Sequence, residues 1–331
     1  MDPFTRYLPT LEKTLQTHLT PRPEAPALVY GMMQYHMGWV DQNFTPQQIN
    51  PGKRLRPIFL LLACEAQGGD WPMALPAAAA VELLHNFSLI HDDIEDRDTT
   101  RRGRPTLWTL WGEAQAINAG DALFSIAYQA LINLPPALYK PAWERFSLTV
   151  LHLTEGQCRD IAFENASNVS ETEYLQMIEG KTAALLALCC ELGGLCAGAP
   201  PEKVAALAEF GHMLGLGFQM EDDLLGLWGE PTETGKPVGS DLIHHKKTLP
   251  ILHGLAHSPA LTELLAAPAL DEATVARGLQ LLEEAGSRAY TRARSAEYHR
   301  LAMAALERSA GSGEAQSALE TLALRLLNRK M

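Results

Sequence analysis

The chain has 331 residues, 47% of them hydrophobic and 20% charged, the composition of a soluble globular protein with enough length for one large core or two ordinary domains. Its 27 basic residues against 39 acidic ones give a formal charge of −12, which excludes a nucleic-acid coat and leaves no broad basic face for anionic lipid. Any phosphate chemistry must therefore rely on local basic clusters or on metal ions.

The N-terminal stretch "MDPFTRYLPTLEKTLQTHL" has no basic region followed by an apolar run, and no later stretch offers ~18 uninterrupted apolar residues. A cytoplasmic protein without stable membrane insertion is expected. The first basic cluster, "PGKRLRP", carries Lys53, Arg54 and Arg56 between a Gly and a Pro, at a loop-to-helix junction where backbone N–H groups also favour phosphate. Arginine forks suit diphosphate oxygens, whereas lysine acts as a point charge.

Helical patterns follow in "LRPIFLLLACEAQGG" and "ALPAAAAVELLHNFSLIHDDIED". Near the end of the latter, Asp92 and Asp96 stand four residues apart, so their carboxylates leave one face of a helix and can share a hard cation. The same acids also fit a solvated helix end in salt bridges with Arg97, Arg101 and Arg102. His85 lies seven positions before Asp92, on nearly the same face, where it reads either as a core histidine or as part of a site. The pair His91-Asp92 is also found in HD-type phosphohydrolases, but the further histidines that chemistry needs are not evident.

"NAGDALFSIAYQALINL" continues the helical series, and "EGKTAAL" brings Lys181 and Thr182. "TAALLALCCELGGLCAGA" holds three of the five cysteines (Cys64, Cys158, Cys189, Cys190, Cys196). The set is odd-numbered and lacks CxxC pairs, so buried reduced thiols are expected rather than disulfides or a zinc site. "KVAALAEFGHMLGLGFQMEDDLLGLWG" sets Asp222 and Asp223 in a strongly apolar helix, where uncompensated charge would cost several kcal/mol by rough reckoning. Two carboxylate groups on separate buried-looking helices point to metal held between them.

The acidic helix is followed by "TGKPVGSDLIHHKKTLP", with Lys236, Lys246 and Lys247 in a loop able to close over an anion and exclude water. "LAHSPALTELLAAPALDEAT" reads as a polar break between helices. The whole chain, 1–331, is expected to be one all-α domain, a large helical bundle around a central cavity. Several of its many helices are apolar on most faces and so expected in the middle, and no repeat period or low-complexity linker divides them.

From about residue 45 to residue 255 these motifs stand in a specific order: "GKRLRP", "ELLHNFSLIHDDIEDRDTTRRGRPT", "AINAGDALF", "EGQCRDIAFE", "EGKTAAL", "GLGFQMEDDLLGLWGE" and "TGKPVGSDLIHHKKTLP". In that order the chain resembles the trans-isoprenyl diphosphate synthases, the polyprenyl synthetase family. The most specific feature is DDxxD followed after four residues by RRG.

The resemblance implies an isoprenoid-synthase bundle that condenses isopentenyl diphosphate with an allylic diphosphate, using about three magnesium ions recruited with the diphosphate. It implies that Asp92 and Asp96 ligate two of those ions and Asp222 the third, with Asp93 and Asp223 in support. Arg101, Lys181, Lys236 and Lys246 would hold the allylic diphosphate. Lys53, Arg56, His85 and Arg102 would hold isopentenyl diphosphate, and Thr182 and Gln219 would flank the reacting carbon. A homodimer is implied as well, with an exposed face of "NAGDALFSIAYQALINL" as a contact.

The chain departs from the family pattern in its second acidic motif, which reads Asp222-Asp223-Leu224-Leu225-Gly226 where a closing Asp is usual. One outer, water-mediated metal contact is thereby in doubt. Product length should depend on the depth of the channel below the first acidic motif. Phe87 lies five residues before Asp92, about 7.5 Å along a helix, and the small Ser88 lies four before it. That combination resembles geranylgeranyl-producing members, so a C20 product is expected, with C15 the runner-up. A class I terpene cyclase would have no use for "GKRLRP" and would carry an Asn/Ser/Glu triad that the second acidic helix lacks. A non-catalytic partner subunit would have lost acidic motifs, and only Gly226 points that way.

Overall fold

The computed structural model describes residues 2–47, 49, 52–164, 166, 168–231, 237–267 and 270–327. In chain order these form α1 (Pro3–His18), α2 (Ala27–His36), α3 (Leu55–Ala66), α4 (Leu75–Glu95), β1 (Thr100–Arg101), β2 (Arg104–Pro105), α5 (Leu107–Trp111), α6 (Glu113–Leu131), α7 (Pro136–Glu164) and α8 (Glu171–Ile178). A π-turn (Glu179–Ala183) leads into α9 (Ala184–Cys196), and α10 (Pro201–Trp228), α11 (Ser240–Ile243), α12 (Leu249–His257), α13 (Pro259–Leu265), α14 (Glu272–Glu284), α15 (Ser287–Arg308) and α16 (Gly313–Leu327) complete the series. The all-α expectation holds. The stretch read as a polar break contains α13, which starts where the Ser258 hydroxyl accepts from Leu261 N at 3.3 Å.

Packing divides the chain into two compact units. The first comprises Met1–Arg145, Cys189–Pro200 and Gly311–Ala318, and the second Phe146–Leu188, Pro201–Ala310 and Leu319–Met331.

In the first unit, the buried run Ala77 to Ala80 keeps α4 slim on every side over one turn. The α6 helix meets α4 with equally small residues, Ala116, Ala119, Gly120, Ala127 and Ala130, so the two backbones can run close together. A side chain at Gly120 would collide with the His91 ring, which fixes that ring against α6. Tyr7, Leu11, Leu15 and Leu19, one turn apart, are fully or almost fully buried; each leucine contributes about 1.5–3 kcal/mol. The Tyr7 hydroxyl donates to Glu65. The segment Trp71–Glu95 is long and apolar enough to cross a membrane by length and composition, but 61% of its apolar window is buried inside the protein, as in a core helix.

In the second unit, α10 lies along α15, and the Ser295 hydroxyl donates to Gly217 O at 3.3 Å across the contact. Tyr174, Met177, Ile178, Ala183, Leu216, Met220, Leu249 and Leu252 form one apolar cluster that holds α8, the π-turn, α10 and α12 together. A second cluster, including Leu227, Leu242, Ile251 and Leu282, ties α11 and α14 to the end of α10. Of the five cysteines, Cys64, Cys189 and Cys190 are buried thiols as expected. Cys158 corrects that reading: it sits on an outward-facing position of α7 and is exposed.

Candidate active site

The first unit carries the DDxxD acids on the last turn of α4. Asp96 caps the helix, donating its N–H to Asp92 O at 2.8 Å, so the backbone is still helical where the two carboxylates leave it. Asp92 is half-buried and Asp96 exposed. Asp93 points elsewhere: it is 2% exposed and accepts from Arg101 Nε at 2.5 Å. Burial pushes its carboxyl up to about 6 even though Arg101 opposes the shift.

The basic stretch that follows is not helical. Thr100–Arg101 pairs antiparallel with Arg104–Pro105, and Arg102 (φ 53°) with Gly103 (φ 76°) makes the two-residue turn. Both central residues have positive φ, as a type I′ hairpin demands, and holding a non-glycine there costs on the order of 1 kcal/mol. Arg104 offsets that cost. Its guanidinium stacks 3.7 Å from the Tyr35 ring centroid and donates to the Tyr35 and Val40 carbonyls at 2.8 Å each, while the Tyr35 hydroxyl donates back to Pro105 O at 2.9 Å. The hairpin is thereby clamped onto α2, with Arg101 aimed at Asp93 and Arg102 at its tip.

Arg102 lies across Gly52, where an added Cβ would sit 3.0 Å from Arg102 Cζ. The two basic stretches of the sequence thus meet in space. Arg56, in the first turn of α3, reaches His85 with Nη1 3.0 Å from Nε2. Burial, then Arg56 and Arg102, hold His85 well below the ordinary histidine range, so it is a neutral acceptor for Arg56. Burial and Arg54 push Arg102 down to about 10 although its side chain reaches solvent. His36, which the sequence did not single out, is held neutral by burial and then by Arg102, Arg101 and Arg54. Lys53 is exposed.

Arg54 departs from the reading of "PGKRLRP" as one basic cluster. Its side chain is buried, with Nε on Glu12 at 2.8 Å, Nη1 on Glu82 at 2.7 Å and Nη2 on Met37 O at 3.2 Å. It braces the α3 N-terminus from within, at a left-handed φ of 47°, and its charge is spent on Glu12 and Glu82.

Phe87 heads an aromatic row, with Phe124 at 4.9 Å, Tyr128 5.2 Å beyond that, and Trp143 6.2 Å further. The Ser88 hydroxyl is turned back to His85 O at 2.9 Å, so Ser88 presents little bulk.

The second unit organises the remaining residues. Lys181 and Thr182 lie in the π-turn, a local widening that often marks functional sites. The turn is pressed against α7. A Cβ at Gly156 would fall 2.7 Å from Gly180 C and 2.9 Å from Lys181 Cα, and one at Gly180 would fall 2.5 Å from His152 O. Lys181 Nζ pairs with Asp160, one turn beyond Gly156, at 2.5 Å.

Thr182 begins a chain of hydrogen bonds. Its hydroxyl donates to Gln219 Oε1 at 2.7 Å, and Gln219 Nε2 donates to Asp223 Oδ1 at 3.1 Å. Asp223 Oδ2 accepts from Tyr174 Oη at 2.6 Å and from Leu249 N at 3.1 Å. One carboxylate therefore joins α8, α10 and the start of α12. Burial pushes it up to about 7, against the bonds from Tyr174 and Gln219 that favour its ionised form, with Asp241 adding to the rise. Only Asp223 of the acidic pair is buried, at 3% exposure; Asp222 is half-exposed, which corrects the view of both as buried charges.

Lys246 is half-exposed, and its N–H donates to Asp241 O at 2.9 Å. Lys236 lies outside the described residues. The sequence reading passed over Asp160, Tyr174, Asp241, Arg104 and Phe124. Their partners are remote in the chain, 21 residues away for Asp160, 49 for Tyr174 and 69 for Arg104, and only the quoted "EGQCRD" drew attention to the neighbourhood of Asp160.

Among the described residues no three His, Cys, Asp or Glu side chains converge as a ready-made metal cage. Asp92 and Asp96 reach solvent at the end of α4 in the first unit, and Asp222 does so on α10 in the second. Carboxylates so placed suit magnesium, which takes one or two of them and completes its shell with phosphate oxygens and water.

The polyprenyl synthetase family model matches residues 38–282. The chain is 47% identical over 241 residues to the (2E,6E)-farnesyl diphosphate synthase of Mycobacterium tuberculosis, covering 73% of this chain and 67% of that protein. It is 46% identical over 261 residues to the geranylgeranyl diphosphate synthase of the same organism, covering 77% and 75%. Among solved structures, the polyprenyl synthetase from Streptomyces coelicolor A3(2) superposes with a TM-score of 0.89 at 36% identity, covering 98% of this chain and 97% of that one.

Proposed function

The chain belongs to the polyprenyl synthetase family, and from that premise we propose that it is a magnesium-dependent trans-prenyltransferase that joins isopentenyl diphosphate head-to-tail to an allylic diphosphate, with geranylgeranyl diphosphate (C20) as the main product. The observation that carries this reading is the crowding of cations in the first unit. Burial, reinforced by Arg101 and Arg102, keeps His36 and His85 neutral, and burial with Arg54 and Arg101 lowers Arg102, so the site is a cluster of positive charge that gains most from a highly charged anion.

On this reading Arg56, His85, Arg102 and Lys53 hold isopentenyl diphosphate, with His85 neutral and its acceptor nitrogen committed to Arg56, so that the arginine fork is aimed before the ligand arrives. Arg101, Lys181, Lys236 and Lys246 hold the allylic diphosphate. Asp92, Asp96 and Asp222 are the residues that would hold magnesium. Held by these carboxylates, magnesium would supply positive charge to offset the charge that develops on the leaving diphosphate. Thr182 and Gln219, locked in one orientation by Asp223, offer fixed dipoles to the allylic carbon as its C–O bond breaks. The double bond of isopentenyl diphosphate attacks that carbon, and the departing diphosphate takes the proton, so the chain need supply no side-chain base.

Phe87, backed by Phe124 and Tyr128, is the floor that sets product length. Incubation of the purified protein with magnesium, labelled isopentenyl diphosphate and C5, C10 and C15 allylic primers is expected to yield C20 diphosphate by mass spectrometry. Phe87→Ala should move the distribution to C25 and longer. Hydrocarbon from an allylic primer alone would replace this reading with a cyclase, and inertness until a second chain is added would make the protein a partner subunit. We place the enzyme in the cytoplasm as a homodimer, with the exposed Ile117 and Ile132 of α6 and its flank at the contact; light scattering separates a dimer from a single chain by mass.

A further inference from the structure

The side chain that the second acidic stretch lacks at position 226 is replaced in space by one from another element. Gly226 follows Asp222 by four residues on α10 and so lies on the same face, one turn on. A Cβ built on Gly226 would fall 2.5 Å from Asp241 Cγ and 2.8 Å from Asp241 Oδ1, inside the volume of that carboxylate. The acid is not there by chance of a swinging side chain. Its helix, α11, is tied to α10 at the backbone, with Gly239 N donating to Leu227 O at 3.0 Å. Gly239 turns into α11 at a φ of 75°, a conformation open to glycine, and Leu242 anchors the turn in the apolar cluster around Leu227. Lys246 N closes the far side on Asp241 O at 2.9 Å. The backbone on both sides of Asp241 is therefore fixed, and its carboxylate rests directly on the bare Cα of Gly226.

We propose that Gly226 and Asp241 are a matched pair in which the glycine clears the surface of α10 and Asp241 supplies, from α11, the third carboxylate of the second acidic motif. The proposal rests on the prenyltransferase reading above. In it, Asp222 remains the direct magnesium ligand and Asp241 accepts hydrogen bonds from water in that ion's shell. The pairing explains how the chain keeps a working second motif while reading DDLLG. It also makes an acid restored at position 226 harmful, because that carboxylate and the one on Asp241 could not occupy one volume, and their like charges would repel at close range.

The test is calorimetric titration of magnesium together with a slowly reacting allylic S-thiolodiphosphate into the intact protein and four variants, alongside thermal unfolding without ligand. Asp241→Asn keeps the size and most of the hydrogen bonding but removes the charge, and should weaken magnesium-dependent binding of the analogue by about 10-fold or more, with little change in unliganded Tm. Gly226→Ala, which pushes the carboxylate aside without removing it, should weaken binding in the same direction. Gly226→Asp alone should do likewise. The exchange Gly226→Asp with Asp241→Gly, which returns the acid to α10, should recover binding to within about threefold of the parent.

Unchanged magnesium dependence in Asp241→Asn overturns the pairing, and so does an exchange variant no better than Gly226→Asp alone. A loss of Tm in Asp241→Asn matching its loss of binding assigns Asp241 a structural role instead and also overturns it. A parent protein that elongates no allylic primer overturns the prenyltransferase reading and the pairing with it. A parent that elongates normally while Asp241→Asn binds magnesium and analogue as the parent does removes the pairing alone.

Discussion

The cationic corner of the first unit and the Asp223 hub of the second are both built from titratable groups set in apolar surroundings, yet they are opposite kinds of object. In the corner, like charges crowd: two histidines are held neutral and Arg102 is lowered to about 10, so the local field is unfavourable to the side chains that create it. In the hub, a single carboxylate accepts from Tyr174, Gln219 and Leu249, and its accepting capacity is used by three different elements. The first is a surface whose energy falls when an anion arrives. The second is already satisfied, and its role is to hold Gln219 and Thr182 still. Charge clusters in a sequence do not by themselves distinguish these cases; burial and partner count do.

The largest expected effect follows from emptying the hub. Asp223→Ala leaves the Tyr174 hydroxyl, the Leu249 N–H and the Gln219 amide unpaired in a buried setting and should cost about 3–5 kcal/mol in urea unfolding. Asp223→Asn should cost only about 1 kcal/mol. Its oxygen can keep Tyr174 and Leu249, and Gln219 can flip so that its oxygen faces the new amide while its NH₂ donates to the Thr182 hydroxyl. Equal losses in the two variants would mean that the hub acts through its charge. In the cationic corner the same logic gives no counterpart, because Arg102→Ala removes repulsion along with packing.

A single methyl group compares the two regions next. At Gly156 the atoms in the way are backbone, Gly180 C and Lys181 Cα, and backbone cannot step aside; Gly156→Ala should cost about 1–3 kcal/mol and displace Lys181 and Thr182. At Gly52 the obstacle is the far end of Arg102, which can move, so Gly52→Ala should cost about 1 kcal/mol, mostly from the left-handed φ of 89°. Thermal unfolding ranks the two. Steady-state kinetics should then show Gly156→Ala lowering kcat and Gly52→Ala raising the KM for isopentenyl diphosphate.

How much of this was legible beforehand differs between the regions for the same reason. The helices, the shared face of Asp92 and Asp96 and the junction at "GKRLRP" are local properties of spacing and composition, and they appear where periodicity put them. The hairpin was not legible, since two strands of two residues leave no alternation to read, and Arg102 in a left-handed turn has no signature of its own. Arg54 looked like its neighbours Lys53 and Arg56 because a buried ion pair with Glu12 and Glu82 depends on chain 28 to 42 residues away. Asp241 was hidden twice, by its distance along the chain from Gly226 and by a glycine that read only as a loss.

The smallest effect, and the one that opposes the two regions in sign, is the response to mild acid. His85 stays neutral in the folded protein, while in the unfolded chain it takes up a proton near pH 6.5. The unfolded state therefore binds more protons below that pH, and the stability His85 contributes is present above 6.5 and lost as pH falls. Between pH 7 and pH 6 the loss should be about 0.7 kcal/mol from this one group. Asp223 behaves in reverse: its carboxyl is raised to about 7 when folded and has an ordinary value when unfolded, so the folded state binds more protons over the same interval and gains stability as pH falls. Unfolding at pH 7 and pH 6 should thus show the parent's net change made more favourable to the acid side by His85→Gln, which retains an acceptor for Arg56, and less favourable by Asp223→Asn. Asp93, raised to about 6, titrates in all three proteins and cancels from the differences. If both variants shifted the pH dependence in the same direction, either His85 would have to be charged in the folded protein or Asp223 ionised throughout, and the contrast between a crowded corner and a satisfied hub would fail at that residue.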